Sequence, residues 1–272
     1  MRSWWIGAVL LTIGVQAKSQ EYLSPPPADP SPITDHLAFR AIWFEGKVNT
    51  DARFDPSPTT PGTSFNAEQT LGLTDRADQF RAELMFRLED RNRLRVNWLD
   101  LRRSGDTIAT ENIQYATETF LVGEEVKSEL DYREMDLTYT YSFLRYKRFE
   151  LGAGLGVQLV EAEADAEVPN TPKFANFSGA VPFATPAIDT TYLIAKHWSL
   201  NARAQYLHLT ISSTSALYED FHSDLQYRWK PNLAIGLGFE YQEISLDLEK
   251  NNPAGLIRLK LDGPEVSLRA SF

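Results

Sequence analysis

The chain has 272 residues, a formal net charge of −10 at pH 7 and no cysteine. The absence of cysteine excludes disulfides, thiolate metal sites and cysteine nucleophiles. The acidic balance argues against nucleic-acid binding, because phosphate contacts require Lys and Arg. Aromatic residues make up 12% of the chain, although the mean hydropathy is −0.33. A membrane β-barrel combines these two properties, because only alternate residues of each strand face lipid.

The first 35 residues are predicted to precede the folded domain. Residues 1–17 have the pattern of a secretory signal peptide, with Arg2 near the start, then an apolar run, then Ala17 at the cleavage site. The apolar run is shorter than the roughly 20 residues that a membrane-spanning helix needs. Residues 18–35 are rich in proline and polar residues, which predicts a flexible periplasmic leader.

From His36 to Phe272 the chain is a series of segments with apolar residues at every second position. This period is typical of strands that have two different faces. Ile42 and Phe44 blur the phase of the first segment, and the phase of the last changes around Gly263 and Pro264, which predicts a bulge. The segments lie at about 37–44, 80–88, 94–98, 135–143, 149–159, 188–194, 198–206, 221–229, 233–241 and 259–272.

Short and long connections alternate between these segments, as they do between the periplasmic and outer ends of outer-membrane barrels. The pattern predicts an all-β fold, a transmembrane antiparallel up-and-down β-barrel of about ten strands. Eight or twelve strands also fit, because segments 64–72 and 105–118 are either strands or loop extensions. The short connections lie near 90–92, 146–148, 196–197 and 230–232, and the long ones near 50–77, 104–130, 166–183, 211–218 and 247–255.

A soluble β-sandwich or a lipocalin would show a similar alternation. Two features favour the membrane barrel. The face opposite the apolar stripe is charged too regularly for a packed core. Aromatic residues also lie near the ends of the apolar stripes, as interfacial girdles require, at Trp43, Trp98, Tyr141, Phe143, Trp198, Trp229, Tyr241 and Phe272.

Three stretches carry a resemblance to known proteins. They are residues 62–106, which begin GTSFNAEQTLGLTDRADQF, residues 131–159, which begin DYREMDLTYTYSF, and the closing GPEVSLRASF. They resemble a group of proteobacterial outer-membrane β-barrel proteins of unknown function, similar in plan to the small OmpA- and OmpW-like barrels. The resemblance implies a barrel fold and a place in the cell outer membrane of a Gram-negative bacterium. It implies no reaction.

The closing stretch also resembles the C-terminal signal by which outer-membrane barrels are recognised for assembly. In this chain the signal is carried by Gly263, Val266, Leu268 and the terminal Phe272. The resemblance therefore implies that the barrel-assembly machinery and periplasmic chaperones are partners of the chain.

The face opposite the lipid is predicted to fill the barrel with charged side chains. A barrel of about ten strands has a narrow interior, and buried charges must be paired. Because both signs occur, we expect a largely plugged polar lumen rather than the single-sign ring of a pore. The alternative is a narrow, porin-like channel for small solutes. The charged residues predicted to face the lumen are Arg81, Glu83, Arg87, Glu134, Asp136, Glu150, Asp220, His222, Asp224, Arg228, Glu240 and Arg269.

No catalytic, cofactor-binding or metal-binding residues are predicted. Some small outer-membrane barrels act on lipids, and such chemistry needs a Ser or an acid beside a His. His222 with Ser223 and Asp220 is the candidate worth testing, although residues 222 and 223 point to opposite faces of a strand. His208 is a second candidate for such a rim site. The carboxylates of residues 161–167, EAEADAE, predict a solvated acidic loop rather than a calcium site.

The sequence therefore predicts a monomeric, non-enzymatic outer-membrane barrel with a structural or surface-interaction role. Its expected partners are outer-membrane lipid, lipopolysaccharide and the assembly factors, and not nucleic acid. A narrow channel is the second hypothesis, and a lipid-modifying enzyme is the third.

Overall fold

The computed structural model describes residues 30–57, 59–115, 118–211, 214–248 and 254–272. The predicted signal peptide, its cleavage near Ala17 and residues 18–29 of the predicted leader lie outside these ranges. No helix in the described ranges has both the length and the apolarity to cross a membrane.

The fold consists of ten long strands and four short elements beside them. Each long strand pairs antiparallel with the next, and the last pairs with the first, from Ala38 opposite Ser271 to Asp55 opposite Ala254. The predicted ten-stranded antiparallel barrel is thereby confirmed. In chain order the elements are β1 (Leu37–Asp55), β2 (Ser64–Asn66), α1 (Ala67–Thr70), β3 (Arg76–Glu89), β4 (Asn92–Ile108), β5 (Ile113–Tyr115), β6 (Glu118–Phe120), β7 (Glu125–Arg145), β8 (Phe149–Glu167), β9 (Phe174–Ala195), β10 (Trp198–Ile211), β11 (Thr214–Lys230), β12 (Leu233–Leu248) and β13 (Ala254–Ser271).

The two ends of the barrel differ in their connections. At one end, which we call the short-turn end, β3 and β4 are joined by two residues, and so are β9 and β10. The other, long-loop end carries β2 and α1 between β1 and β3, and β5 and β6 between β4 and β7. Segment 64–72 contains the short elements β2 and α1, and segment 105–118 contains the end of β4 and the short strand β5. Neither segment adds a barrel strand.

Most of the predicted long loops are wrong in extent, because the strands continue far beyond the expected ends. β7 starts at Glu125, inside the loop predicted for 104–130, and β9 starts at Phe174, inside the loop predicted for 166–183. β7 has 21 residues, about twice the 9–11 that a tilted strand needs to cross a bilayer. Roughly half of the barrel therefore projects beyond the membrane.

The polarity of the outer surface changes at one height around the barrel, which we call the rim. Trp43 of β1 pairs with Phe80 of β3, and all outward residues from there to the short-turn end of β1 are apolar. Met135 of β7 pairs with Trp98 and Leu159 at the same height. Two residues beyond the rim the outward positions become charged, at Glu45, Asp78, Asp100, Arg133 and Glu161. We call the part below the rim the membrane part and the part beyond it the extension.

The polarity inside the barrel changes at the same height in the opposite sense. In β1, Phe44, Val48, Ala52 and Phe54 face inward and are buried, whereas Arg40, below them, is inward and charged. The strand keeps its phase while the apolar face moves from outside to inside. Ile42 and Phe44 blurred the sequence pattern for this reason.

The bulge predicted at Gly263 and Pro264 is wrong. The register of β12 with β13 continues without a shift through Phe239 opposite Pro264 and Glu240 opposite Gly263. Leu261 faces inward above this point, and Val266 faces outward below it. The apparent change of phase is the crossing of the rim.

The last residues of the predicted leader lie against the short-turn end of the barrel. Ser31, Pro32, Ile33 and Asp35 are buried. Arg145 Nη2 donates to the carbonyl of Ile33 over 3.0 Å. Residues 30–35 are therefore packed against the barrel rather than free.

Candidate functional site: the barrel interior

The interior of the membrane part is filled with charged and amide side chains. The structure places all the predicted lumen-facing charges, from Arg81 to Arg269, inside the barrel and buried. It adds Arg40, Arg93 and Asp35, which our sequence analysis missed. The alternation around Arg40, between outward Phe39 and Ala41, contained the signal for that residue. No sequence signal indicated Asp35, because it precedes the first strand.

Asp35 neutralises two arginines at the short-turn end. Its carboxylate accepts from Arg228 Nη2 over 2.5 Å and from Arg269 Nη2 over 3.2 Å. Arg228 also donates to the carbonyl of Pro231 and to Ser271 Oγ. This cluster closes the lumen at its lower end.

Glu150 is the acceptor at the centre of a second cluster. Arg87 donates to both of its oxygens, over 2.8 and 3.0 Å, and Ser142 Oγ donates over 2.6 Å. Arg93 and Arg145 approach to 3.6 and 3.8 Å. The side chains of Glu150 and Arg87 are completely buried. A bidentate pair with further donors is the geometry in which a buried ion pair is satisfied.

A third cluster crosses the middle of the lumen. Arg40 donates to Glu265 over 2.5 Å, and Arg203 donates to Glu83 over 2.5 Å. His222 Nε2 lies 2.6 Å from Glu265 Oε1 and 3.0 Å from Arg40 Nη2. Because the partners come from five different strands, the cluster ties opposite walls of the barrel together.

Amide and hydroxyl groups complete the upper layer. Gln205 donates to Asp136 Oδ2 and Thr138 Oγ1, each over 3.2 Å, and Gln158 donates to Thr185 Oγ1 over 2.9 Å. Beside this network, Arg81 donates to Glu240.

Glu134 lies at the top of the polar filling, and neutral donors surround its carboxylate. The hydroxyls of Tyr132 and Tyr218 donate hydrogen bonds to this carboxylate over 2.6 and 2.7 Å, and the side-chain amide of Gln242 donates one over 2.6 Å. The two tyrosine rings thus point their polar atoms down into the filling. We call the whole assembly, from Asp35 up to Glu134, the polar plug.

The cavities left inside the polar plug are small. One of about 30 Å³ lies beside Arg81, Glu134 and Asp220, and one of about 40 Å³ lies beside Arg40, Glu83 and His222. A cavity of roughly 10–15 Å³ is enough to hold one water. Each of these two cavities has room for isolated waters.

The interior of the extension is mainly apolar, with Arg103 as a buried charge that pairs with Glu68. Phe44, Val48, Leu99, Tyr132 and Leu261 belong to a buried cluster just above the plug. A second cluster at the long-loop end brings residues of the long strands together with the short elements. It includes Ala52, Phe54, Phe65, Leu71, Ile113, Phe120, Val126 and Leu130. The extension therefore has the core of a water-soluble barrel.

The structure does not bring the candidate catalytic residues together. Ser223 lies on the outward side of β11, whereas His222 is buried in the plug between Arg40 and Glu265. His208 lies on the outer surface of β10. Within the described ranges, no three His, Asp or Glu side chains are grouped as metal ligands.

The acidic stretch 161–167 is a strand and not a loop, so that prediction is wrong. β8 continues through Glu167, and Glu161, Glu163 and Glu167 lie exposed on the outer surface of the extension. Acidic residues occur at every second position because the positions between them, such as Ala164 and Ala166, face the apolar interior. They keep this surface in water.

Glu124 lies just before β7 and pairs with Lys173, which lies in the loop between β8 and β9. Lys173 Nζ lies 2.6 and 2.8 Å from the two carboxylate oxygens, and the Leu121 N–H donates to one of them. These donors favour the ionised form and lower the pKa of Glu124. The pair joins the segment before β7 to the loop between β8 and β9.

The residues of the predicted assembly signal lie along β13 and beyond its end. Val266 and Leu268 face outward and are exposed, and Gly263 faces inward. The backbone N–H of Phe272 donates to Leu37 over 2.8 Å, while its side chain is 72% exposed. The signal residues thus form part of the seam that closes the barrel.

The closed ten-stranded barrel, with its apolar belt and its short and long connections, defines this chain as an outer-membrane β-barrel protein. No protein family matches the sequence, and no curated protein does. The fold is similar to that of the outer membrane protease OmpT from Escherichia coli, with a TM-score of 0.56 and 11% identity over 88% of this chain and 98% of OmpT. At this identity the likeness shows the fold alone.

Two further solved structures match at lower similarity. They are Ail, the attachment invasion locus protein of Yersinia pestis (TM-score 0.33, 9% identity, 86% of this chain and 99% of Ail), and the toluene transporter TodX of P. putida (TM-score 0.34, 8% identity, 90% of this chain and 93% of TodX).

Proposed function

We propose that this protein is a non-conducting, non-enzymatic outer-membrane barrel that holds a rigid extension on the cell surface for interaction. The observation that carries the proposal is the polar plug, whose ion pairs fill the membrane part around small cavities of about 30 and 40 Å³. A conducting pore needs a continuous water path, and here the inward charges contact one another across the lumen.

The extension supports the surface role. From Met135 opposite Leu159 at the rim, the ladder of β7 with β8 continues to Lys127 opposite Glu167. Eight residues span roughly 26 Å at about 3.3 Å per residue. With the short turns in the periplasm, as is usual for such barrels, this wall stands outside the cell. Its own apolar core makes it a stable platform for loops.

The proposed partners follow from the surfaces. The apolar belt below the rim contacts outer-membrane lipid, and the charged residues beyond the rim lie at the level of lipopolysaccharide headgroups. The assembly signal of β13 is read by the barrel-assembly machinery after export with periplasmic chaperones. The protein acts as a monomer and does not bind nucleic acid.

Single-channel recording of the refolded protein in a planar bilayer tests the proposal. We expect no stable conductance steps from protein whose folding is verified by its heat-modifiable migration, while a porin inserted in parallel conducts. Discrete steps that change with Arg81→Gln or Asp136→Asn would contradict the closed lumen and favour the channel hypothesis.

The absence of catalysis needs a separate assay. Ser223 and His222 face opposite sides of β11, so we expect no release of fatty acid from phospholipid or lipid A vesicles. A release that is lost in His222→Ala or His208→Ala, with the fold intact, would replace the proposal by a lipid-modifying enzyme.

A further inference from the structure

The ladder between β9 and β10 is incomplete. It starts with Ala195 opposite Trp198 and ends with Ala187 opposite Gln205. Beyond that point β9 remains paired with β8 as far as Phe174, and β10 remains paired with β11 as far as Ile211. Between these two described edges, residues 174–186 and 206–211, the wall of the barrel has an opening. We call this opening the lateral slot.

The composition of the two edges is consistent with the slot. Pro182 and Pro186 lie in β9, and proline is confined to edge strands because it has no N–H for a second ladder. A Cβ placed on Gly179 would meet no heavy atom within 4 Å. Leu209 and Ile211 follow the inward alternation of β10, yet they are 44% and 63% exposed. The wall that would cover them is missing.

The slot begins below the rim, at the level of lipid. Pro186 pairs with Leu155, and Pro182 pairs with Leu159, which lies at the rim. The four steps from Pro186 to Pro182 span about 13 Å along the strand. The slot therefore opens first into the adjacent leaflet and then continues upward into the extension.

An apolar cavity of about 250 Å³ lies behind the slot. Both edges line it, through Val181 and Phe183 of β9 and Leu207 of β10, and Ile244 and Leu259 line it from the β12 and β13 side. An apolar cavity of roughly 150 Å³ is enough to stay dry and take up benzene. This cavity is larger and lies mostly beyond the rim, and Phe183 and Leu207 at its lower end reach the part of the slot below the rim.

The floor of the cavity favours an apolar occupant. Tyr132 and Tyr218 form the floor, and both hydroxyls are already committed to Glu134 below. An occupant therefore meets mainly aromatic rings and aliphatic side chains, and the polar side chains of the lining are those of Thr50, Ser178 and Ser245. A charged headgroup would lose most of its polar partners inside, whereas a hydrocarbon chain would exchange one apolar environment for another.

We propose that this cavity binds one hydrocarbon chain of an amphiphile from the adjacent leaflet. The chain enters sideways through the lateral slot, and its headgroup stays outside at the rim. The inference depends on the slot and the cavity and not on whether the polar plug conducts ions.

A paramagnetic probe that resides in the bilayer tests this inference. The probe is a lysophosphatidylcholine whose dodecanoyl chain carries a nitroxide near the methyl end, added to the full chain in lipid nanodiscs with labelled Ile, Leu and Val methyl groups. We expect saturable broadening of the Val181, Ile244 and Leu259 methyl signals. The cavity-filling variant Leu246→Trp should bind at least about tenfold more weakly. Leu237→Trp, on the lipid-facing side of the same strand, should bind as the wild type does.

Two results would overturn the inference. The first is broadening confined to lipid-facing methyls such as those of Leu155 and Leu237. The second is equal broadening of the cavity methyls in wild type and in Leu246→Trp. If Leu246→Trp does not fold, Val181→Phe at the edge of the slot replaces it with the same expected outcome. The conductance experiment does not depend on any of these results.

Discussion

The membrane part and the extension are built from the same strands with the same alternation, but they assign the two faces in opposite ways. In β8, Leu155 and Leu159 face lipid while Gln158 lies in the plug. A few residues further, Glu161 faces water while Ala164 lies in an apolar core. The medium outside the wall decides which face is apolar. Where that medium is lipid, this barrel fills its interior with paired charges instead of apolar side chains.

The largest expected effect comes from breaking an ion pair in the plug. Glu150→Gln leaves Arg87 buried with no full charge opposite it, which we expect to cost about 3–5 kcal/mol of unfolding free energy. The measurement is urea unfolding in lipid vesicles. Glu161→Gln, on the exposed side of the same strand, should cost less than about 1 kcal/mol. Equal effects of the two variants would show that the plug does not stabilise the membrane part.

A core truncation in the extension should be the next largest effect. Leu261 is buried in the apolar cluster above the plug, so Leu261→Ala should cost about 2–5 kcal/mol by the lost contacts and the cavity left behind. Leu268→Ala, which faces lipid in the same strand, should cost on the order of 0.5 kcal/mol. Unfolding free energies of the two variants give the comparison. A larger cost for Leu268→Ala would contradict the apolar core.

The ladder of β9 with β10 ends at Ala187 opposite Gln205, and disulfide trapping can test whether the wall is open beyond that point. The chain has no cysteine of its own. Ile188 pairs with Ala204, so Ile188→Cys with Ala204→Cys should form a cross-link on oxidation. If the register continued, Ala184 would lie opposite His208, but Cα atoms more than about 7 Å apart do not form a disulfide. Efficient cross-linking of Ala184→Cys with His208→Cys would show that the slot is closed.

The smallest expected effect concerns the ion pair between Glu124 and Lys173 at the long-loop end. The pKa of Glu124 is lowered in the folded protein, so the pair stabilises the fold above the pKa of the unfolded chain. This contribution is lost as the pH falls through the folded pKa. NMR titration of the Glu124 carboxylate should show the pKa rise in Lys173→Ala and stay unchanged in Lys127→Ala. A Glu124 pKa that does not respond to Lys173→Ala would contradict the pairing.

The sequence predicted the membrane part well because lipid imposes one rule on every strand below the rim. Outward apolar residues such as Phe80, Leu137 and Leu155 recur at every second position, and the charges between them lie in the plug. The strand count followed from these stripes. Which arginine meets which carboxylate was not predictable, because Arg87 and Glu150 lie 63 residues apart and meet only through barrel closure.

The extension was predicted poorly for a physical reason. Beyond the rim the apolar residues lie on the inward face and the charged residues on the outward face. Val126 and Leu130 of β7 therefore do not fit the pattern of outward apolar residues, and their segment was predicted as a loop. The apparent bulge at Gly263 and Pro264 has the same origin. The cavity depends on where the ladder of β9 ends, and only Pro182 and Pro186 carried a local signal for it.

The most direct test of the account is a nitroxide scan along the outward face of β8. Single cysteines replace Leu155, Val157, Leu159, Glu161 and Glu163 one at a time, and the spin labels are probed with oxygen, which partitions into lipid, and with a water-soluble nickel chelate. We predict a change from oxygen access to nickel access between positions 159 and 161. Oxygen access that persists to position 163, or nickel access that already begins at 155, would contradict a barrel that leaves the membrane at this rim.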